Sequence, residues 1–491
     1  MPRLNASVSL PDTVAAPGFT PSEHGTGIVH LGLGAFFRAH QAVYTDDALA
    51  RSGGNWRILG VSLRSTAPAD ELAPQDGLYT LIERGAGEPK ARIIGAISRA
   101  VSGATDIEEV RSALAAPATR VVTLTVTEKG YGIDRAKGGA DESHPAVIAD
   151  LTTPEAPQGV LGLLVQALKL RRAAGVAPFT VLCCDNLPEN GTMLRSGVVD
   201  FANRLDADLA DWIASEVAFP SCMVDRITPA RTETTLADAA RLTGHDDAAA
   251  IETEPFTQWV IEDRFPSGRP DWEVGGALFV EDVAPYEQMK LRMLNGAHSM
   301  LAYSGFLAGH RYVRDTVADT DLRRLIERHF SSAAMTLDPL PGIDFDAYAQ
   351  ELLERFANPS IAHETYQIAM DGTQKLPQRI LQPALAALQS GQNVRPFAFA
   401  TAAWMRYSLG RTDDGERYAL RDPMEVEISE RLANAQTGDS IFSALAALRG
   451  VFPETLMAAP EWRGEVIGAL TSMLEVGVAS AIAAEAASEL P

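Results

Sequence analysis

The chain has 491 residues, 46% hydrophobic and 22% charged, with a formal net charge of −22 at pH 7. That length exceeds what one ordinary core organises, so two domains are expected. The acidic balance argues against a nucleic-acid partner, and no apolar run reaches the roughly 18 residues of a membrane span.

After a proline-rich lead-in, Gly27-Ile-Val-His-Leu-Gly32 reads as a short buried strand. It runs through Gly32-Leu-Gly34 into a helical segment from Gln41 to Arg51. Strand, glycine turn and helix is the order that brings a pyrophosphate onto a helix N-terminus. Gly32 would allow the tight turn and Gly34 would let backbone approach the phosphates. Phe37 stands where a third glycine completes the fingerprint, so the motif is partial, and Phe36 and Phe37 are grouped with the cofactor turn. A second strand spans Trp56 to Leu63. The carboxylate that takes the ribose hydroxyls should follow it, yet the chain reads Arg64-Ser-Thr-Ala67, with no acid before Asp70. Arg64 suits a 2′-phosphate or plain solvent, which leaves NAD and NADP both open here.

Arg120 to Thr127 reads as a β-branched strand ending at Glu128. Residues 159–173 have helical periodicity, and Phe179 to Cys184 form another buried strand ending at Asp185-Asn186. Ligands of open α/β sheets gather beyond the carboxyl ends of strands, which places Glu128 and Asn186 near chemistry, although each also suits a cap or turn. Cys183, Cys184 and Cys222 offer neither a disulfide framework nor tetrahedral zinc spacing, so no metal is expected. The N-terminus lacks a secretory pattern, and a cytoplasmic location is expected. Residues 197–216 read as one amphipathic helix. Asp225 and Arg226 beyond it suit a mutual pair or a cleft lining.

From Glu254 to Val283 the chain is rich in Trp, Pro and Gly; beyond Pro285 helical periodicity dominates. The expected domains are therefore 1–285 and 286–491. Within Met289 to His298, α-helical geometry of about 100° per residue sets Asn295 near 140° and His298 near 80° from Lys290. All three then share less than half the helix surface, as a general base beside an oxyanion-holding amide requires. A solvated lysine with a capping asparagine fits the same letters. Asp371 to Arg379 reads as a loop whose Lys375 and Arg379 flank a proline, and arginine suits a carboxylate.

Taken together, these blocks resemble the polyol-specific long-chain dehydrogenases, the mannitol dehydrogenase family. The matching phrases are Gly32-x-Gly34-x-Phe36-x-Arg38-Ala-His-Gln41, Thr127-Glu128-x-Gly130-Tyr131, Asp185-Asn186-x-x-x-Asn190-Gly191, Met223 to Pro229, Gln258 to Asp263, and Lys290-x-x-x-x-Asn295-x-x-His298. They fall in order from about residue 27 to residue 410. Met289 to Gly296 and Ile368 to Arg379 are similar to the branch that reduces ketohexuronates, whereas Gly60 to Ser65 looks closer to mannitol dehydrogenases.

The resemblance implies an α/β protein with a Rossmann-type N-terminal domain, a largely α-helical C-terminal domain and an active site in the cleft between them. It implies metal-independent hydride transfer with Lys290 as acid/base, Asn186 and Asn295 as oxyanion donors, and His298 positioning the substrate. Glu128 is similar to a residue that gates proton exchange with water, and Asp225 and Lys375 to substrate-pocket positions. NAD is the expected cofactor, with NADP open through Arg64, and a monomer is the expected state. The expected reaction is reduction of D-fructuronate to D-mannonate; alternatives are a fructose/mannitol enzyme and a non-catalytic nucleotide-binding sensor. An exposed lysine titrates near 10.4, so at pH 7 about one in two thousand is the free base and the role requires a special setting. Arg292, about 200° from Lys290 on an α-helix, is expected to point elsewhere.

Overall fold

In the computed structural model, which describes residues 1–489, the chain forms two compact units that divide between Ala284 and Pro285. The strands of the first unit are β1 (Thr26–Leu31), β2 (Arg57–Ser62), β3 (Tyr79–Glu83), β4 (Lys90–Ile94), β5 (Ile97–Ser102), β6 (Val121–Leu124) and β7 (Ile133–Asp134). They continue with β8 (Gly139–Ala140), β9 (Thr180–Cys183), β10 (Cys222–Asp225), β11 (Ile251–Thr253), β12 (Gln258–Glu262) and β13 (Leu278–Val280). The main sheet is parallel throughout, in the order β5-β2-β1-β6-β9.

Four of its strands, β1, β2, β6 and β9, read as mostly apolar runs because both faces are covered. On β1, Val29 and Leu31 enter one core while Ile28 enters the other; on β9, Val181 and Cys183 alternate with Leu182, and with Cys184 just past the strand, in the same way. The three cysteines are free and buried, small hydrophobes in these two layers. Strand order reverses direction at β1, whose neighbours are β2 and β6, and this is the topological switch point where doubly wound sheets bind ligands.

Several elements depart from the sequence reading. Residues 197–216 are not one helix: Asn190–Asn203 ends, and Asp206 caps Ala207–Glu216 by accepting the Leu209 N–H at 3.2 Å. The hairpin β3–β4 and the edge strand β5 went unread, being short and without clear alternation. Arg226 does not bond Asp225; it donates to the carbonyls of Ala39 and Glu254 and to Glu83, joining three segments.

The second unit is helical. At its centre lie Gly296–Leu307 and Arg395–Tyr407, which pack on each other and are buried on nearly every side. A helix apolar all round is an interior helix. Gly372 to Arg379 is helical too: Gly372–Leu376 runs without a break into a π-helical turn, Pro377–Leu381, so Pro377 lies inside a continuous helical run, where its missing N–H removes one intrahelical hydrogen bond. No helix among the described residues is long and apolar enough to cross a membrane.

Candidate active site

In the first unit, the loops after β1, β2 and β6 enclose a cleft of about 310 Å³ lined by Gly32, Gly34, Ser62, Arg64, Thr125 and Thr127, among others. Gly32 has φ 108°, and a Cβ there would lie 2.1 Å from the Thr125 carbonyl oxygen, so no side chain fits. Gly34 differs: beyond its own chain neighbours, the nearest atom to its would-be Cβ is 3.7 Å away, leaving the space a phosphate needs. The residues present thus fit a dinucleotide's pyrophosphate.

Three side chains hold this turn, His30, Phe37 and Arg38, and the sequence reading gave no role to His30 or Arg38. His30 is fully buried; its Nδ1 lies 2.8 Å from the Thr123 hydroxyl and its Nε2 donates to the Gly32 carbonyl at 3.0 Å. Burial pulls its pKa down to about 3, so the ring stays neutral. Phe37 stacks on that ring at 3.6 Å and is fully buried. Phe37 therefore belongs to the core and not to the cofactor surface, while Phe36 is only partly buried. An aromatic pair fills the helix–strand gap that a third glycine would have closed. Arg38 ties the turn to β11's approach, donating from Nε to the Gly34 carbonyl at 3.3 Å and from Nη1 to the Ala249 carbonyl at 2.6 Å.

The loop after β6 is held in a costly conformation. Thr127 has φ 70° and ψ 156°, a region that suits glycine, at a cost of roughly 1–3 kcal/mol. Asp185 stabilises it: one carboxylate oxygen accepts from the N–H groups of Val126 and Thr127, at 2.9 and 3.2 Å, and from the Tyr131 hydroxyl at 2.6 Å. Glu128 follows in an exposed turn, paired with Arg135 at 2.8 Å. Asn186 is exposed just past β9, and Asn190 is buried, bonding both the Asp185 and Cys222 carbonyls.

In the second unit, Lys290 is only 6% exposed, and Lys290 to Asn295 form a π-helical turn, not an α-helical one. At roughly 4.4 residues per turn, or about 82° per residue, Asn295 moves from about 140° to about 50° from Lys290, and His298 to within about 10°. The wider turn therefore aligns all three on a narrower face than α-helical geometry allows. Arg292 points away, donating to the Thr336 carbonyl at 2.5 Å.

The π-turns at Lys290–Asn295 and Pro377–Leu381 pack on each other. Gly296 permits it: a Cβ there would stand 2.7 Å from His329 Nε2 and 2.8 Å from the Arg379 carbonyl oxygen. His329, another residue the sequence reading missed, is fully buried and donates from Nε2 to the Arg292 carbonyl at 3.3 Å, inside the turn. His298 packs against Phe356 and His363, with ring centroids 4.5 and 5.3 Å away. Burial, and then His363, Arg355 and Arg379, hold its pKa well below the usual imidazole value. Arg379 is half-buried and makes one hydrogen bond among the described residues, to Ser299 Oγ at 3.3 Å. Lys375 donates to the carbonyls of Met370 and Ile368 at 2.6 and 3.2 Å, and burial, then Arg379, lowers its pKa. Asp225 is buried at the end of β10.

Comparison with known proteins decides the lineage. The mannitol dehydrogenase Rossmann domain matches residues 26–274, and the mannitol dehydrogenase C-terminal domain matches residues 282–474. The chain belongs to the mannitol dehydrogenase family. It is 44% identical to the D-mannonate oxidoreductase of Escherichia coli over 96% of this chain and 98% of that protein. It is 36% identical to the mannitol 2-dehydrogenase of Pseudomonas fluorescens, solved with NAD and D-mannitol, over 98% of this chain and 99% of that one, with a TM-score of 0.79. A D-sorbitol dehydrogenase solved without substrate superposes with a TM-score of 0.90 at 34% identity, covering 98% of this chain and all of that one, 100%. The two-unit architecture, a parallel nucleotide-binding sheet followed by a helical unit, is thus that of the mannitol dehydrogenase family, and NAD is its cofactor. Among the described residues, no group of three His, Cys, Asp or Glu is placed to hold a metal ion.

Proposed function

We propose that this chain is an NAD-dependent oxidoreductase of secondary alcohols whose substrate is a ketohexuronate, reduced from D-fructuronate to D-mannonate. The observation that carries the chemistry is the buried π-turn that sets Lys290 and Asn295 on one face. Bound NADH supplies a hydride to the carbonyl carbon, and the residues of the chain manage the oxygen. As negative charge develops there, the Asn295 amide donates to it. Lys290 Nζ delivers the proton that completes the alcohol and takes it back in oxidation. His298, neutral in its buried setting, can both donate to and accept from substrate hydroxyls. Asn186 and Glu128 keep the roles that the family resemblance implies, an amide donor and a carboxylate in proton exchange. The exposure of Glu128 suits exchange with bulk water.

Arg379 supports a carboxylate on the substrate. A guanidinium has five donors, and a half-buried one with a single hydrogen bond gains from a planar anionic partner. Lys375, four residues earlier, adds a second cation, and Asp225 completes the proposed substrate residues. The 44% identity to a D-mannonate oxidoreductase favours the same substrate class. A neutral ketose, fructose, is the second reading, favoured by the likeness to a mannitol 2-dehydrogenase bound to D-mannitol.

NADH oxidation with D-fructuronate, in wild type and Lys290→Met, tests the proton role. The variant is expected to lose about 10²–10⁴ in kcat while still binding NADH. Wild-type turnover in Lys290→Met would remove the lysine from the mechanism.

A further inference from the structure

Beside the cleft at the end of β2 lies a second cavity of about 460 Å³, lined by Ala146, Ala149, Asp150 and Gly159 among others. Leu63, Arg64 and Gly130 line both cavities, so Arg64 stands where the two meet. In a sheet of this topology, the adenosine ribose lies beside the residues that follow the second strand. An NAD-selective site places a carboxylate there, which accepts the ribose hydroxyls and repels a 2′-phosphate. Here that segment reads Arg64-Ser65-Thr66, and the first acid, Asp70, lines neither cavity.

Arg64 is exposed, and among the described residues it makes no ion pair and no side-chain hydrogen bond. Its neighbours add hydroxyls: Ser62 and Ser65 line the first cavity with it. Of the residues lining the two cavities, only Asp150 carries a carboxyl group, and both its oxygens are engaged, accepting from the Gln158 and Gly159 N–H groups at 2.9 and 2.8 Å. Around Arg64 the two cavities therefore present an unpaired fork of donors, and their one acid, Asp150, is already engaged by backbone N–H groups.

We propose that Arg64 forms a subsite for the 2′-phosphate of NADP(H), so that the chain binds NADP(H) as well as NAD(H). The guanidinium meets the phosphate dianion through parallel N–H donors, a geometry lysine cannot reproduce. The proposal rests on the dinucleotide cleft alone and is independent of which sugar is reduced.

Calorimetric titration of the full chain with NAD+ and with NADP+, without any sugar, reads it directly. The wild-type Kd for NADP+ is expected within tenfold of that for NAD+, or below it. Arg64→Ala is expected to raise the ratio of the NADP+ to the NAD+ Kd by tenfold or more, and Arg64→Lys by less. A wild-type NADP+ Kd more than tenfold above that of NAD+ overturns the proposal. So does an Arg64→Ala variant in which both affinities fall together and the ratio stays put, as a purely structural role predicts.

Discussion

His30 and His329 each sit fully buried with one ring nitrogen donating to a backbone carbonyl, and burial pulls their pKa values down to about 3 and about 4. An unfolded histidine titrates near 6.5. Between the two values the unfolded chain binds protons that the folded chain does not. Stability is therefore full above about pH 6.5 and is lost as pH falls toward 3–4. The His329 shift corresponds to about 3 kcal/mol at its limit. Urea titrations from pH 7 to pH 4 should show this loss, and His329→Gln should flatten part of it. A His329→Gln profile parallel to wild type would refute the assignment. At the substrate end, Arg379→Met is expected to raise the KM for D-fructuronate about tenfold or more, since hydrogen bonds to charged groups contribute about 1.5–3 kcal/mol. Its effect on a neutral ketose should be much smaller, and equal effects on both would remove the carboxylate role.

The π-turns are the elements on which the proposed chemistry depends, and nothing in their composition announces them. Lys-Leu-Arg-Met-Leu-Asn is ordinary helical sequence, and an α-helical reading of it kept Lys290, Asn295 and His298 on one side but spread them too widely. What sets the wider turn is tertiary: Gly296 admits the second π-turn, and His329 takes a carbonyl from within the first. Proline and glycine at 377 and 372 made the second π-turn look like a loop, because both usually break helices, whereas here Gly372 opens the helical run and Pro377 lies within it, at the first position of the π-turn. Gly296→Ala should cost about 1–3 kcal/mol in stability through overpacking and lower kcat by tenfold or more. A variant with wild-type kcat would show that the contact between the π-turns does not set the reacting geometry.

Across the molecule, β1, β2, β6 and β9 were legible because buried parallel strands are unbroken apolar runs between glycines and polar ends. The same logic hid β7 and β8, two residues long, and β5, whose Arg99 breaks the apolar run. The glycines of the cofactor turn could be read, but Phe37 could not, since only the packed His30 ring shows what replaces the third glycine. At this scale the chain carries a net charge of −22, so an anionic substrate has to be recruited by local cations against the global field. The most direct measurement is therefore kcat/KM with NADH for D-fructuronate against D-fructose, under one set of conditions. A site that directs Arg379 and Lys375 at a carboxylate predicts a preference for D-fructuronate of about a hundredfold or more. Equal efficiency, or a preference for fructose, would contradict it.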